Sequence, residues 1–179
     1  SYDPEETLSA LPSAAGVMMG EGEETFRELM KLYADELPSS FGTSSEASDS
    51  PEETPAWPLP DQIRGIAYRT RPGGVVRRTP GRQAVPLDEI PFFYGEQNEI
   101  NDFQDRIIYY ESSRGCPYQC SYCLSSIDKT VRFRNVELVK KELQFFLDEK
   151  VPQVKFVDRT FNCSHAHAME IWSYIREHD

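Results

Sequence analysis

Residues 105–179 alternate between apolar runs and helical patterns, and this alternation is the strongest constraint on the fold. The run at residues 107–110 predicts a buried strand, and VPQVKFV predicts a second strand that ends near Asp158. Apolar residues three and four positions apart predict a helix from Asn135 to about Glu149 and another helix at the end of the sequence. Strand, loop, helix, strand, loop, helix indicates a parallel sheet with right-handed crossovers, whose functional loops follow the carboxyl ends of the strands.

The residues that we expect to share the core-facing side of each helix follow from this spacing. They are Val136, Val139, Leu143, Phe146 and Leu147 in the first helix and Ala168, Ile171, Trp172 and Ile175 in the second.

Residues 1–37 predict a single strand–turn–helix unit. A short strand at residues 17–19 leads into the glycine-rich GEGE turn, and we expect no other strand of this chain to pair with it. The helix that follows carries an apolar face made of Phe26, Leu29, Met30, Tyr33 and Leu37.

The next segments differ sharply in composition. Residues 38–60 are rich in serine, proline and acidic residues, and they cannot bury enough apolar surface to offset the entropy of ordering them, which predicts a flexible linker. Residues 61–104 predict a hairpin near residues 63–79, turning at Arg71-Pro72-Gly73-Gly74, followed by a proline-broken connector, LDEIPFFYG.

Charge is concentrated at one end of the chain. Residues 1–60 hold thirteen acids and two bases, which gives 2 − 13 = −11, the formal net charge of the whole chain. A negative surface repels phosphate backbones and anionic lipids, so nucleic acid and membranes are poor candidate partners. The sequence has neither a secretory signal nor an apolar run of about 18 residues, and we therefore expect a cytoplasmic protein.

Cys116, Cys120 and Cys123 form a C-x3-C-x2-C loop after the first strand of residues 105–179. Three thiolates this close can hold three corners of an iron–sulfur cube and leave the fourth iron open. The alternative is structural zinc, which needs a fourth ligand from Cys163, His165 or His167. We expect Cys163 to be an ordinary thiol and the two histidines to have solvent-facing or capping roles.

The sequence around these cysteines resembles that of a known family. The segments ESSRGCPYQCSYCLSS, VRFRNVELVKKEL and VKFVDRTFN, with Tyr122 directly before the last cysteine, resemble radical S-adenosylmethionine (SAM) enzymes of the branch that has an N-terminal cobalamin-binding domain. MGEGEETFRELM resembles the last strand and helix of that domain. The resemblance implies an α/β fold in which residues 1–37 are the tail of a Rossmann-like cobalamin-binding domain and residues 105–179 are the opening βα units of a radical SAM partial TIM barrel.

The resemblance also implies a chemistry. Cys116, Cys120 and Cys123 would hold a [4Fe-4S] cluster whose open iron binds SAM, and an electron from a donor such as flavodoxin or ferredoxin would cleave SAM to a 5′-deoxyadenosyl radical that acts on a small-molecule or unknown substrate. Cobalamin would be a further cofactor of the whole protein. Tyr122 would lie near the adenine, and Asp158 would accept a hydrogen bond from the SAM amino group. Arg132 would balance the SAM carboxylate or the surroundings of the sulfonium.

The sequence departs from the family in two respects. It shows two βα units where the family barrel has about six, and it has no D-x-H-x-x-G cobalamin-ligand motif. We therefore expect a fragment that binds the cluster but is inactive by itself. The alternative function is a zinc-stabilised, noncatalytic binding module.

Overall fold

The computed structural model describes residues 3–36, 59–96, 106–124 and 130–178. Most of the predicted linker at residues 38–60 lies outside these ranges. The chain divides into two compact units, residues 1–85 and 86–179, called here the first unit and the second unit. The first unit contains α1 (Pro4–Ala10), β1 (Gly16–Met18), α2 (Glu23–Glu36), β2 (Ile66–Arg69) and β3 (Val76–Arg78). The second unit contains β4 (Ile108–Tyr110), β5 (Ser113–Arg114), β6 (Arg132–Phe133), α3 (Val136–Asp148), β7 (Val154–Phe156) and α4 (His165–His178).

Helix α1 was not predicted, although its sequence carries a clear start signal. Asp3 is the N-cap, and its side chain accepts hydrogen bonds from the backbone N–H groups of Glu5 and Glu6. Pro4 follows at the first helical position, where its missing N–H costs nothing. Leu8 then anchors the helix, because its side chain is completely buried.

Strand β1 has a partner, contrary to the expectation from sequence. It pairs antiparallel with β2, with Val17 opposite Ala67, and β2 pairs antiparallel with β3 as the predicted hairpin. The strand and hairpin therefore form one three-stranded sheet. A Rossmann-like domain is built on a mostly parallel sheet, so the described strands do not confirm the predicted Rossmann-like tail.

Helix α2 packs through a face that is rotated from the predicted one. Thr25 is fully buried, and its hydroxyl donates a hydrogen bond to the Arg64 carbonyl oxygen at 2.9 Å. Leu29 and Leu32 pack against the small core of Ile63, Ile66 and Tyr68, whereas Phe26 and Met30 are 51% and 42% exposed. Thr25, Leu29 and Leu32 thus lie on the packed side of the helix, and the two predicted core residues Phe26 and Met30 lie on its exposed side. Leu37 lies outside the described residues.

The second unit has the predicted parallel pairing. Strands β4 and β7 are parallel, with Tyr109 opposite Lys155, and α3 connects them in the sequence. The N-cap of α3 is Asn135, as predicted, and its side chain accepts hydrogen bonds from two backbone N–H groups of the first turn. The buried core consists of Ile108, Tyr110, Val139, Leu143, Phe146 and Ile171.

Helix α4 differs from the prediction at one position. Ala168 and Ile171 are buried and Ile175 packs against the core, but Trp172 is 54% exposed. Tyr174 packs against the core instead, and its hydroxyl donates a hydrogen bond to Gln144 at 2.7 Å.

A buried polar cluster ties the connector at residues 87–95 to the rest of the second unit. The Arg134 guanidinium forms an ion pair with Glu142 at 2.5 Å and also donates hydrogen bonds to the carbonyl oxygens of Leu87 and Ile90. Tyr110 donates its hydroxyl to Glu142 at 2.6 Å. Burial, the hydrogen bond to Glu142 and the charge of that carboxylate all raise the pKa of Tyr110, which keeps the phenol neutral.

Candidate cofactor site

The cysteine loop begins at a position that only glycine can occupy. Gly115 directly follows β5 and has a φ of +103°, and a Cβ atom placed there would lie 1.9 Å from the Thr130 carbonyl oxygen. The close approach arises because β5 pairs with β6, with Arg114 opposite Arg132. Gly115 therefore lets the chain leave this ladder and begin the loop.

Cys116, Cys120 and Cys123 are each half-buried, whereas the residues between them are exposed. The backbone N–H of Cys123 donates to the Cys120 carbonyl oxygen at 3.1 Å, which closes a turn between the second and third cysteines. All four cysteines of the chain lie within the described residues, and none forms a disulfide. The three cysteines are thus partly shielded from solvent, whereas the rest of the loop is exposed.

Within the described ranges, no three histidine, cysteine, aspartate or glutamate side chains are grouped so that they could hold one metal ion. A cube places each protein thiolate on a different iron, so its ligands surround a larger object than a single ion does. Three cysteine thiols on one loop are the donor set that such a cluster needs. The residue types therefore fit the cluster, and its binding is left to the proposal below.

Asp158 lies beside the start of this loop. One carboxylate oxygen accepts hydrogen bonds from the hydroxyls of Ser112 and Ser113 at 2.7 and 2.6 Å, and the other accepts from the Ser112 backbone N–H at 3.1 Å. Both serines are almost completely buried, so these bonds satisfy groups that water does not reach. An ionised carboxylate offers about four acceptor sites, and Asp158 therefore retains capacity for one further donor.

Thr160 makes a second link between the β7 end and the loop. Its hydroxyl oxygen lies 3.5 Å from the Cys116 sulfur, a hydrogen-bonding contact between partly buried side chains. Asp158 and Thr160 thus both contact the segment that carries the cysteines. Neither serine nor Thr160 was singled out from sequence, since both contacts join residues more than forty positions apart.

The other predicted site residues have different surroundings. Arg132 lies in β6 opposite Arg114, within the ladder that precedes the cysteine loop. Tyr122 is 91% exposed, so its ring is open to a ligand or another part of a larger protein. Cys163 ends the short turn Phe161–Cys163, and its N–H donates to the Thr160 carbonyl oxygen at 3.0 Å.

The two histidines are not alike. His165 is exposed at the start of α4, as expected, but His167 is half-buried and its ring lies 5.0 Å from the Phe133 ring. Burial lowers the pKa of His167, although the charges of Asp158 and Glu170 act in the opposite direction. The prediction of a solvent-facing or capping role is therefore wrong for His167, because its ring packs against the β6 strand.

Three similarities to known proteins bear on this site. An uncharacterized methyltransferase of Pyrococcus horikoshii is 28% identical over 99% of this chain. The structure of the cobalamin-dependent S-adenosylmethionine radical enzyme OxsB, with aqua-cobalamin and S-adenosylmethionine bound, matches 97% of the chain with a TM-score of 0.60 and 24% identity. The radical S-adenosylmethionine methyltransferase TsrM from Kitasatospora setae, with cobalamin and a [4Fe-4S] cluster bound, matches 91% of the chain with a TM-score of 0.53 and 16% identity.

The chain spans only part of each of these proteins: 35% of the Pyrococcus protein, 22% of OxsB and 29% of TsrM. No protein-family model matches it. No helix in the described part of the chain is long and apolar enough to cross a membrane. The chain is a mixed α/β protein that shares its fold with a segment of cobalamin-dependent radical SAM enzymes.

Proposed function

We propose that this chain is the cofactor-binding portion of a radical SAM methyltransferase of the cobalamin-dependent kind. The observation that carries the proposal is the position of the three half-buried cysteines. Their loop follows β4, and Asp158 follows β7, so both lie beyond the carboxyl ends of two adjacent parallel strands. That edge of a parallel sheet is where ligands bind in α/β folds.

The donor chemistry supports an iron–sulfur cluster. Cys116, Cys120 and Cys123 would bind three of its irons, and with SAM on the fourth the cluster would supply radical chemistry. The protein's own contribution is to fix the loop. Gly115 provides the sharp departure from β5, and Asp158 anchors the two serines just before it.

The proposed SAM contacts use side chains near the carboxyl ends of these strands that can still bind a ligand. The acceptor site left on Asp158 suits the SAM ammonium group, because a hydrogen bond between an ammonium and a carboxylate is strengthened by both charges. Arg132 would pair with the SAM carboxylate through its planar fork of donors. Tyr122 would cover the adenine with its exposed ring.

The remaining cofactor and partners belong to the whole protein. Methyl transfer is proposed from the similarity to the Pyrococcus methyltransferase and to TsrM, and cobalamin from the ligands in the OxsB and TsrM structures. An electron donor such as flavodoxin or ferredoxin would reduce the cluster. No residue of the first unit is assigned to cobalamin.

Anaerobic reconstitution of the chain with iron and sulfide tests the proposal. We expect a brown protein with about four irons and four sulfides per chain, and added SAM should change the electron paramagnetic resonance spectrum of the reduced cluster. A colourless protein that takes up one equivalent of zinc and no sulfide would contradict the proposal and favour a zinc-stabilised binding module.

A further inference from the structure

Among the described residues, the Thr160 hydroxyl has one side-chain partner, and that partner is a cysteine of the proposed cluster. The hydroxyl oxygen lies 3.5 Å from the Cys116 sulfur. Thr160 occupies the N-cap of the turn Phe161–Cys163, where threonine often caps the backbone, yet among the described residues its side chain makes no capping bond. The hydroxyl is therefore turned toward the sulfur instead of the turn that it precedes.

The backbone holds Thr160 in this position from both sides. Two residues earlier, Asp158 is anchored to Ser112 and Ser113, which lie just before the cysteine loop. On the other side, the Thr160 carbonyl oxygen accepts the Cys163 N–H at 3.0 Å. These contacts keep the hydroxyl and the Cys116 sulfur within reach of each other, so the contact does not depend on a mobile side chain alone.

Metal binding settles which of the two atoms is the donor. A thiol that binds a metal has lost its proton, so the Cys116 sulfur can only accept. The threonine hydroxyl has one proton to donate. The contact then becomes a hydrogen bond from a neutral hydroxyl to a charged sulfur.

We propose, on the basis of the cluster assignment above, that Thr160 donates a hydrogen bond to the Cys116 thiolate and raises the reduction potential of the [4Fe-4S] cluster. Hydrogen bonds to the sulfurs are among the factors that set the potential of such clusters. One-electron reduction adds a negative charge to the cluster, and a donor stabilises the more negative form more strongly. Removing the hydroxyl therefore makes the cluster harder to reduce.

The test is a redox titration of the reconstituted chain with dithionite as the electron source, followed by electron paramagnetic resonance. Thr160→Val removes the hydroxyl at nearly constant volume, and Thr160→Ser keeps the hydroxyl. Thr7→Val, in α1 of the first unit, is the matched control for the same chemical change elsewhere. Iron and sulfide content is measured for every variant before titration.

We expect all variants to bind the cluster. The equilibrium constant for one-electron reduction should fall about threefold in Thr160→Val. This corresponds to a reduction potential that is lower by about 28 mV, because a tenfold change in the constant corresponds to about 59 mV. Thr160→Ser and Thr7→Val should match the unmodified chain.

Three results would overturn the inference. An unchanged potential in Thr160→Val would show that the hydroxyl does not act on the cluster. Loss of iron from Thr160→Val alone would show that the hydroxyl assembles the site and does not tune it. Failure of the unmodified chain to bind iron and sulfide would overturn the proposed function together with this inference.

Discussion

The two units differ in how their polar groups are arranged. In the first unit a three-stranded antiparallel sheet contributes Ile66 and Tyr68 to a small core with Ile63. Its ion pair between Arg27 and Glu24 lies on the surface, and its ion pair between Arg82 and Glu28 is half-buried. The second unit has a larger aromatic-rich core and buries a complete ion pair between Arg134 and Glu142.

The difference separates supporting structure from chemistry. All four cysteines, Asp158 and Thr160 belong to the second unit, where the buried cluster of Arg134, Glu142 and Tyr110 joins the connector, β4 and α3. A cofactor site needs ligands that are held in place by their surroundings. The second unit provides such contacts at the cysteine loop, where Asp158 binds the two serines that precede it and Thr160 contacts Cys116.

The largest expected effect is on the buried ion pair. Glu142→Ala leaves the Arg134 charge buried without its partner, which should lower the free energy of unfolding by about 3–5 kcal/mol. Urea titration followed by circular dichroism measures the change. Glu24→Ala removes an exposed carboxylate of the first unit and should cause no measurable change. Equal losses of unfolding free energy in the two variants would mean that burial does not make the Arg134–Glu142 ion pair more important for stability than the surface pair.

Two glycines with positive φ provide the next comparison. Gly115→Ala places a methyl group against the Thr130 carbonyl oxygen and should cost about 2–5 kcal/mol, the sum of backbone strain and steric overlap. Gly73→Ala in the hairpin meets nothing within 4 Å and should cost only the backbone strain, about 1–2 kcal/mol. Gly115→Ala should also lower the iron bound after reconstitution, and an unchanged iron content there would argue against a tightly constrained loop.

Asp158→Asn separates anchoring from SAM binding. The amide keeps one oxygen for the Ser112 N–H, and the serine hydroxyls can rotate to accept from its NH₂ group, so the cluster content should be unchanged. Loss of the negative charge should weaken SAM binding by about 1.5–3 kcal/mol. Calorimetry with SAM on the reconstituted protein measures this, and an unchanged affinity would leave Asp158 with its anchoring role alone.

The smallest predicted effect is a pH dependence that His167 adds to the second unit. Its pKa is lowered from 6.5 by burial, so the unfolded chain binds more protons than the folded chain once the pH falls below that value. Stability should therefore decrease with acidification, and the decrease should be smaller in His167→Gln. Urea titrations at pH 7.5 and pH 5.5 compare the two proteins. The same slope in both would mean that folding does not lower the pKa of His167.

The second unit was the more predictable from sequence. Strand β4, helices α3 and α4 and strand β7 follow from local periodicity, and Asn135 marks the start of α3 as predicted. The pairing of β1 with β2 joins residues about fifty positions apart, and no local pattern of that short strand specifies its partner. The buried side of α2 likewise includes a long-range contact, the hydrogen bond from Thr25 to the Arg64 carbonyl oxygen.

The site shows the same division. The cysteine spacing is a local pattern that can be read from the sequence. The serine anchors of Asp158 and the contact between Thr160 and Cys116 exist only in the folded chain. The lowered pKa of His167 likewise depends on neighbours from other elements. Sequence singled out the candidate ligands, and the fold identified the residues that contact their loop.

The most direct test of the account is iron and sulfide analysis, after anaerobic reconstitution, of four variants that each lack one cysteine. Cys116→Ala, Cys120→Ala and Cys123→Ala should each lose the [4Fe-4S] cluster, because the three-ligand loop has no spare thiol to replace the one removed. Cys163→Ala should bind as much iron and sulfide as the unmodified chain. Loss of the cluster in Cys163→Ala, with retention in any of the other three, would contradict the assignment of the cysteine loop as the cluster site.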